Sequence, residues 1–531
     1  MQTKGSAKKY DRQLRIWGAH GQTALETARV CVLGSACTAT EALKNLVLGG
    51  IASFTVVDDA KVQASDLGNN FLLDSSALGK SRAATVTDFL LELNENVAGS
   101  YVEESPAHLL ASNPRFFADF QLILATQVTE GAQIDLDQIC RELQKPLICL
   151  RSYGLVGYLR ASLPEHTVIE SKPENTLEDL RLHNPWTKLK EYAASIDLES
   201  IDDITHKHVP YGILLLKAVE VWQNEHGSTL PVTAKDKAAF RAMLKSWQRS
   251  VDGVPVEAEN FGEAISNAHK LFSPPSIPPE VKQILEDERT NLTSDSAEFW
   301  VLAAALKQFF MENNGQLPVE GSIPDMTSTT DMYLQLQRLY RDQADADITT
   351  VETHVQSLLK SIGHNPASIP RSSVAAFVKN ARNLRVVRYR TLKEELQLDT
   401  VRSDALRQAL AAEDTQANAS LYLLLRGVDR FHGTYNRFPG TFDGELEEDV
   451  ALLKATVASV SADSGVGTAA VSDDLIEEMV RFGASELHVV AAIMGGIAAQ
   501  ETIKFITRQF VPVGGTLIYN AMGSTTSVLR V

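Results

Sequence analysis

The sequence predicts an α/β fold: a mostly parallel sheet covered on both faces, built from the two ends of the chain and interrupted by a large, mostly α-helical insertion. Three observations carry this. The stretch Val30–Asp59 reads as strand, turn, helix, strand, with an acidic end. Short apolar runs then alternate with helical patterns as far as Leu150, the signature of strands joined by crossover helices. The last fifty residues return to that texture after a long run of helical periodicity.

Taken in order, Tyr10–Gly18 (YDRQLRIWG) precedes the first strand, and Arg12 and Arg15 lie three apart, on one side of a helix. Val30–Leu33 is a strand and Gly34 opens a turn. Thr38 or Thr40 is expected to cap a helix whose Leu43, Leu46 and Val47 face one way. Gly49-Gly50 ends that helix, Phe54–Val57 is the next strand, and Asp58 follows Gly34 at about the spacing of a nucleotide-binding βαβ unit. The phosphate loop departs from that pattern. Glycines there let backbone N–H groups approach phosphate, and only Gly34 is present, with Ser35, Ala36, Cys37, Thr38 and Ala39 filling the rest.

A loop over Ser65–Ala83 leads to a helix at Ala83–Leu93, then to strands at Tyr101–Val102, Gln121–Ala125 and Pro146–Leu150, and Arg151–Arg160 reads as a glycine-interrupted strand pair. From about Ser171 to Val480 the pattern is helical, with proline-marked breaks at Ser273–Pro279, Leu317–Pro324 and Phe438–Pro439. Helices are expected at Ala297–Phe310, Met332–Tyr340, Val351–Ile362 and Ala419–His432, and a flexible link at Thr456–Asp473. Leu487–Thr507 is a helix carrying the small residues Gly495-Gly496 and Ala498-Ala499, and Phe510–Val513 with Thr516–Tyr519 is expected to form a hairpin. The domains are therefore expected over 1–170, 171–484 and 485–531.

The formal net charge of −17 argues against nucleic acid, whose binding rests on clustered Lys and Arg. The four cysteines, Cys31, Cys37, Cys140 and Cys149, have no CxxC spacing and read as free thiols of a reducing compartment. No run approaches the ~18 apolar residues of a membrane span, and the N-terminus has no apolar signal-type segment. A soluble, intracellular protein of cytoplasm and nucleus is expected.

Several stretches together resemble one family, the activating enzymes of ubiquitin-like modifiers, which share an adenylation fold with the bacterial molybdopterin and thiamine sulfur-carrier adenylyltransferases. YDRQLRIWG resembles the family's YxRQ…G motif, and GSACTATEALKNLVLGG its glycine-rich turn and helix in part. DLGNNFLL, LGKSRA and GGIAAQETIK resemble three further family stretches. The insertion, with HTVIESKPENTLEDLRL, GSIPDM, LRVVRYRTLKEE and DRFHGTYNRFPG, is similar to the regulatory, non-catalytic subunit of the enzyme activating the Nedd/Rub modifier. The resemblance implies a Rossmann-like pseudo-adenylation domain, with an insertion like the family's catalytic-cysteine domain but lacking the cysteine.

The departures from the family pattern set the expected role. Ala36, Cys37 and Ala39 stand where the family has glycines, Asn69 where it has a phosphate-binding arginine, Asn70 where it has a glutamine, and Thr126 and Gln127 near its magnesium-binding aspartate. Losing such charge-assisted contacts removes about 1.5–3 kcal/mol each, so this chain is expected to bind neither nucleotide nor metal, with Lys80, Asp58 and Asp59 structural. What the resemblance implies is a regulatory half whose catalytic partner binds ATP and magnesium, adenylates the Nedd/Rub modifier, carries it on the partner's cysteine and passes it to a conjugating enzyme, upstream of cullins. Arg12 corresponds to the arginine that reaches into the partner's ATP site, neutralising triphosphate charge in the manner of an arginine finger. The partner interface is expected to include Arg15, the stripe Met332, Leu336, Leu339 and Tyr340, and Gly495-Gly496. The alternatives are the regulatory subunit for SUMO, whose insertion is much shorter, a self-sufficient adenylyltransferase, a dinucleotide oxidoreductase, and a scaffold without a role in the adenylation site.

Overall fold

The computed structural model describes residues 9–173, 179–227, 229–251, 254–272, 276–397, 402–467 and 471–531. Its principal elements begin with α1 (Asp11–Glu26), β1 (Arg29–Leu33), α2 (Cys37–Gly49), β2 (Ser53–Val57), α3 (Arg82–Leu93) and β3 (Ala98–Val102). They continue with β4 (Leu122–Thr126), α4 (Glu130–Glu142), β5 (Leu147–Tyr153) and β6 (Val156–Ser162). Next come the helices α5 (Tyr211–Glu225), α6 (Glu298–Glu312) and α7 (Thr330–Ser361). The chain ends with α8 (Gln416–Tyr435), α9 (Leu446–Asp463), α10 (Asp473–Phe482), α11 (His488–Thr507), β7 (Thr516–Asn520) and β8 (Thr525–Leu529).

Two compact units form, one from residues 1–168 with 386–531, the other from 169–385. The first is built on an eight-stranded sheet in the order β8-β7-β6-β5-β4-β1-β2-β3. Strands β1 to β5 run parallel, while β6, β7 and β8 each run antiparallel to the strand before. Both faces are apolar, because alternate residues of each strand enter separate cores. Val30 and Val32 pack with Leu43, Leu46, Val86, Leu90, Met494 and Ala498 under α2, α3 and α11. Cys31 and Leu33 face Phe117, Leu136, Tyr422, Leu424, Val428 and Val457 under α4, α8 and α9.

The expected domain break at 484/485 does not coincide with a unit boundary, since residues 386–484 pack on the sheet. Helical periodicity is the same whichever core a helix joins; buried charge decides here. Arg160 on β6 pairs with Glu395 at 2.6 Å, Arg151 on β5 with Asp429 of α8 at 2.5 Å, and Arg426 of α8 with Glu130 of α4 at 3.3 Å. Of the expected link Thr456–Asp473, residues up to Asp463 continue α9, while 468–470 lie outside the described residues, as do 273–275 of the first proline break. The terminal hairpin is β7 with β8; Phe510–Val513 forms no strand, and Pro512 within it has no N–H to give a ladder. Helix α11 is long and apolar enough to cross a membrane by length and composition, contrary to the reading of the sequence. Its Met494, Ala498 and Ala499 are core residues beneath the sheet.

In the second unit, α5 supplies Ile213, Leu214, Leu215 and Trp222 to a core shared with Phe240, Phe261 and Leu271. The stripe expected to face a partner lies in that core. Leu336 and Tyr340 are buried, Met332 and Leu339 pack against them, the Tyr340 hydroxyl donates to the Leu180 carbonyl at 2.6 Å, and its ring meets Trp186 edge-on at 4.9 Å. An apolar stripe at helical spacing fits an internal core as well as an external one, and this unit uses it internally. The two helices expected at Met332–Tyr340 and Val351–Ile362 are one 32-residue helix, α7, because nothing between them breaks it.

Side-chain exposures of 4% for Arg160 and 2% for Glu395 make that pair the most enclosed charge contact between the sheet and the returning segment. Glu395→Ala strands the guanidinium and is expected to cost the first unit about 3–5 kcal/mol, measured by denaturant unfolding. Glu395→Gln, which keeps an acceptor, is expected to cost less.

Candidate functional site

The carboxyl ends of the parallel strands meet at β1, which pairs with β2 on one side and β4 on the other. This is the switch point at which open α/β sheets bind ligands, commonly an anion on a helix N-terminus. Here α2 begins after Ala36, which supplies no side-chain cap. Neither threonine is the cap residue: the Thr40 hydroxyl donates back to the Cys37 carbonyl at 2.8 Å. The Thr38 N–H, one of the donors a helix leaves unpaired in its first turn, donates to Glu486 Oε2 at 2.8 Å. The Thr38 hydroxyl donates to the same oxygen at 2.5 Å and lies 2.5 Å from Ser152 Oγ.

Glu486 is held there by its backbone. Its carbonyl accepts from Asn69 Nδ2 at 2.9 Å, the preceding Ser485 carbonyl accepts from Gly154 N at 2.7 Å, and Gly154 and Glu486 form a parallel bridge. Gly154 has φ +54°, and a Cβ there would run into the Phe482 ring, so the approach requires glycine. Asn69 thus holds the backbone at Glu486. Cys37 Sγ reaches the Asn69 carbonyl at 2.9 Å.

A second carboxylate fills the next position. Asp58, 5% exposed, accepts on Oδ2 from Ser35 N at 2.9 Å and from Arg82 Nε and Nη2 at 3.1 and 2.9 Å, and on Oδ1 from Ala60 N at 2.9 Å. The Ser35 hydroxyl also donates to Oδ2. Burial raises this carboxyl, but the Arg82 charge and the bonds from Ser35 outweigh it and hold it below the usual range. Arg82 is itself shared with Asp66 at 3.1 Å. At α4 the same arrangement recurs: Asp429 accepts from Glu130 N at 3.1 Å while paired with Arg151. Glu130 behind it is raised by burial, only partly offset by Arg426.

After β4, Thr126 donates to the Leu33 carbonyl at 2.8 Å, and Gln127, held at φ +57°, donates to the Ser152 carbonyl at 2.9 Å. Both are neutral. Lys80 is exposed at the loop rim. Among the described residues no group of three or more His, Cys, Asp or Glu side chains is arranged to hold a metal ion. A nucleotide triphosphate does not fit these residues, because the Glu486 carboxylate stands on a first-turn N–H of α2 that its phosphates would need and the side chains after β4 that would meet a metal are neutral. All four cysteines are free and buried, and burial pushes the Cys37 and Cys140 thiols up to about 12, away from nucleophile chemistry.

Arg12 lies apart from this crevice. It is exposed on the first turn of α1, and its side chain makes no hydrogen bond or ion pair with the described residues. Arg15 is exposed and pairs with Asp11 at 2.8 Å. Gly495 does not face outward: a Cβ there would meet Ala42 N and Glu41 Cβ at 2.7 Å, so its close approach is to α2 within this chain. Gly496 beside it is half-buried with open space where a Cβ would stand. Sequence reasoning missed Glu486, Asp429 and Arg82. Arg82 sits two residues from the noted Lys80, but Glu486 and Asp429 come from far along the chain, and no local pattern marks them.

Asp58 has a lowered pKa, so its contribution is present above the unfolded carboxyl pKa of about 3.9 and is lost as pH falls through the folded value. Asp58→Asn is therefore expected to lower stability at pH 7, with the gap from the parent closing in acid melts below about pH 4. Glu486→Ala removes the acceptor at α2 and is expected to cost about 1–2 kcal/mol by thermal unfolding.

Residues 10–531 match the ThiF family. The NEDD8-activating enzyme E1 regulatory subunit AXR1 of Arabidopsis thaliana is 47% identical over 524 residues, covering 98% of this chain and 96% of that protein. The NEDD8-activating enzyme E1 regulatory subunit of Danio rerio is 45% identical over 526 residues, 98% of each chain. That of Saccharomyces cerevisiae is 26% identical over 541 residues, 99% of this chain and all of its own length.

Proposed function

The chain belongs to the ThiF family, and from that premise we propose that it completes its partner's adenylation site while holding none of its own. It is the regulatory subunit of a NEDD8-activating heterodimer; its likeness runs full length to subunits of that name, and the SUMO alternative is not favoured. ATP and magnesium belong to the catalytic partner, which adenylates NEDD8, takes it onto its own cysteine and passes it to a conjugating enzyme acting upstream of cullins. The complex works in cytoplasm and nucleus.

The observation that carries this reading is a contrast within one chain. At the crevice where a nucleotide would sit, Glu486 takes the first-turn N–H of α2, whereas Arg12 stands exposed with no partner for its guanidinium among the described residues. A fixed positive charge brought to a triphosphate from a second subunit stabilises charge developing as pyrophosphate leaves. Arg15, held by Asp11, lies one helical turn on and contributes to the same face. The partner face also includes the outward row of α11, with Val489 58% and Ile493 39% exposed and Gly496 next along it.

ATP–pyrophosphate exchange with NEDD8 tests this. The chain alone is expected to show none, and the heterodimer to show activity. Arg12→Ala is expected to lower the heterodimer's rate about 100-fold or more while the complex still forms. Exchange by the chain alone overturns the filled-crevice reading, and full activity with Arg12→Ala leaves the chain a scaffold.

A further inference from the structure

Arg12 leaves α1 from a fixed base, although its guanidinium has no partner among the described residues. Tyr10 is the residue before α1, and its carbonyl accepts the first helical bond, from Leu14 N at 2.9 Å. Its ring is buried, 4% exposed, and lies where Gly50 would carry a Cβ; a Cβ there would come within 2.5 Å of the Tyr10 hydroxyl. Gly50 ends α2 in the left-handed region at φ +82°, so glycine is needed both for the turn and for the ring.

The hydroxyl is held by Asn94, which is 2% exposed and follows α3 directly. Asn94 Nδ2 donates to the Tyr10 hydroxyl at 3.0 Å and to the Val47 carbonyl in the last turn of α2 at 2.8 Å. Its Oδ1 accepts from Lys9 Nζ at 2.6 Å and Asn96 N at 3.2 Å. One buried amide, with both donors and its acceptor used, thus ties the ends of α2 and α3 to the residues on which α1 starts. Arg12 is two residues further on. A guanidinium that must meet a triphosphate on another subunit gains rate from being held in direction before it arrives, since small misplacements of a reacting group cost large factors.

We propose that Asn94 is a positioning residue for Arg12, acting through Tyr10 to set the direction in which the arginine leaves α1. This rests on the reading of Arg12 given above. The test is a double-mutant cycle on ATP–pyrophosphate exchange in the intact heterodimer: parent, Asn94→Ala, Arg12→Ala and the pair. Asn94→Ala is expected to lower kcat about 10- to 100-fold, with the KM for ATP and the heterodimer affinity unchanged, and to have no further effect once Arg12 is alanine. If the two losses multiply, or if Asn94→Ala weakens the heterodimer instead, Asn94 is merely structural and the proposal fails. If Arg12→Ala lowers the rate and Asn94→Ala does not, the proposal fails while the reading of Arg12 survives. An unchanged rate with Arg12→Ala overturns both. Should Asn94→Ala not fold, Tyr10→Phe, which loses only the hydroxyl, goes through the same cycle with the same criteria.

Discussion

A helix cannot bond its own first N–H groups, and in a doubly wound sheet those groups crowd together at the carboxyl edge of the strands. This molecule meets them with its own carboxylates: Glu486 on α2, Asp429 on α4, and Asp58 on the Ser35 N–H just before α2. Glu486 is an anion on the helix N-terminus where a nucleotide-binding relative of the same fold would receive one from its ligand, whereas Asp58 stands where such folds carry a ribose-binding acid and is here taken up by Ser35 and Arg82. The electrostatic demand of the helix ends is therefore satisfied inside the chain. The same contacts also bring the chain ends together, because Glu486 and Asp429 arrive from the segment beyond residue 386.

Charge is used similarly to bring that segment onto the sheet. Arg160–Glu395, Arg151–Asp429 and Arg426–Glu130 are all enclosed, and each links an early element to a late one. A buried pair of this kind is costly to break and contributes little against a well-packed apolar substitute. Its effect here is on placement, since α8 and α9 have apolar faces that could cover many surfaces. With Leu421, Leu424, Val428 and Val457 in the core on that face of the sheet, and α8 lying against β7, β8 and α4, the ion pairs select one register for those faces. The crevice carboxylate Asp429 is a product of that register.

On the outer side the logic is reversed. Tyr10, Asn94, Gly50 and Trp17 are buried and fix where α1 begins and runs; Trp17 Nε1 donates to Gln22 at 3.1 Å, and Gln509 Nε2 donates to the Trp17 carbonyl at 2.9 Å. Among the described residues the Arg12 side chain has no such attachment. A chain that closes one crevice with buried polar groups, yet leaves an arginine without a partner among the described residues on a well-anchored helix, fits the role proposed for Arg12.

The sequence by itself determined the parallel strands, the crossover helices and the loss of the phosphate loop. Those follow from period, from apolar runs at Val30–Leu33 and Phe54–Val57, and from alanine and cysteine in glycine's places. It also singled out Arg12, through a short motif whose spacing survives. Only the tertiary structure decided what fills the crevice, which core owns a helix and which way a stripe faces. Met332, Leu336, Leu339 and Tyr340 suit a partner or an interior equally by their spacing, and Gly495-Gly496 signals close packing without saying against what. The physical reason is range. Periodicity and turn chemistry act over a few residues, whereas Thr38–Glu486 and Arg160–Glu395 join positions hundreds of residues apart, and such contacts exist only once the chain has closed on itself.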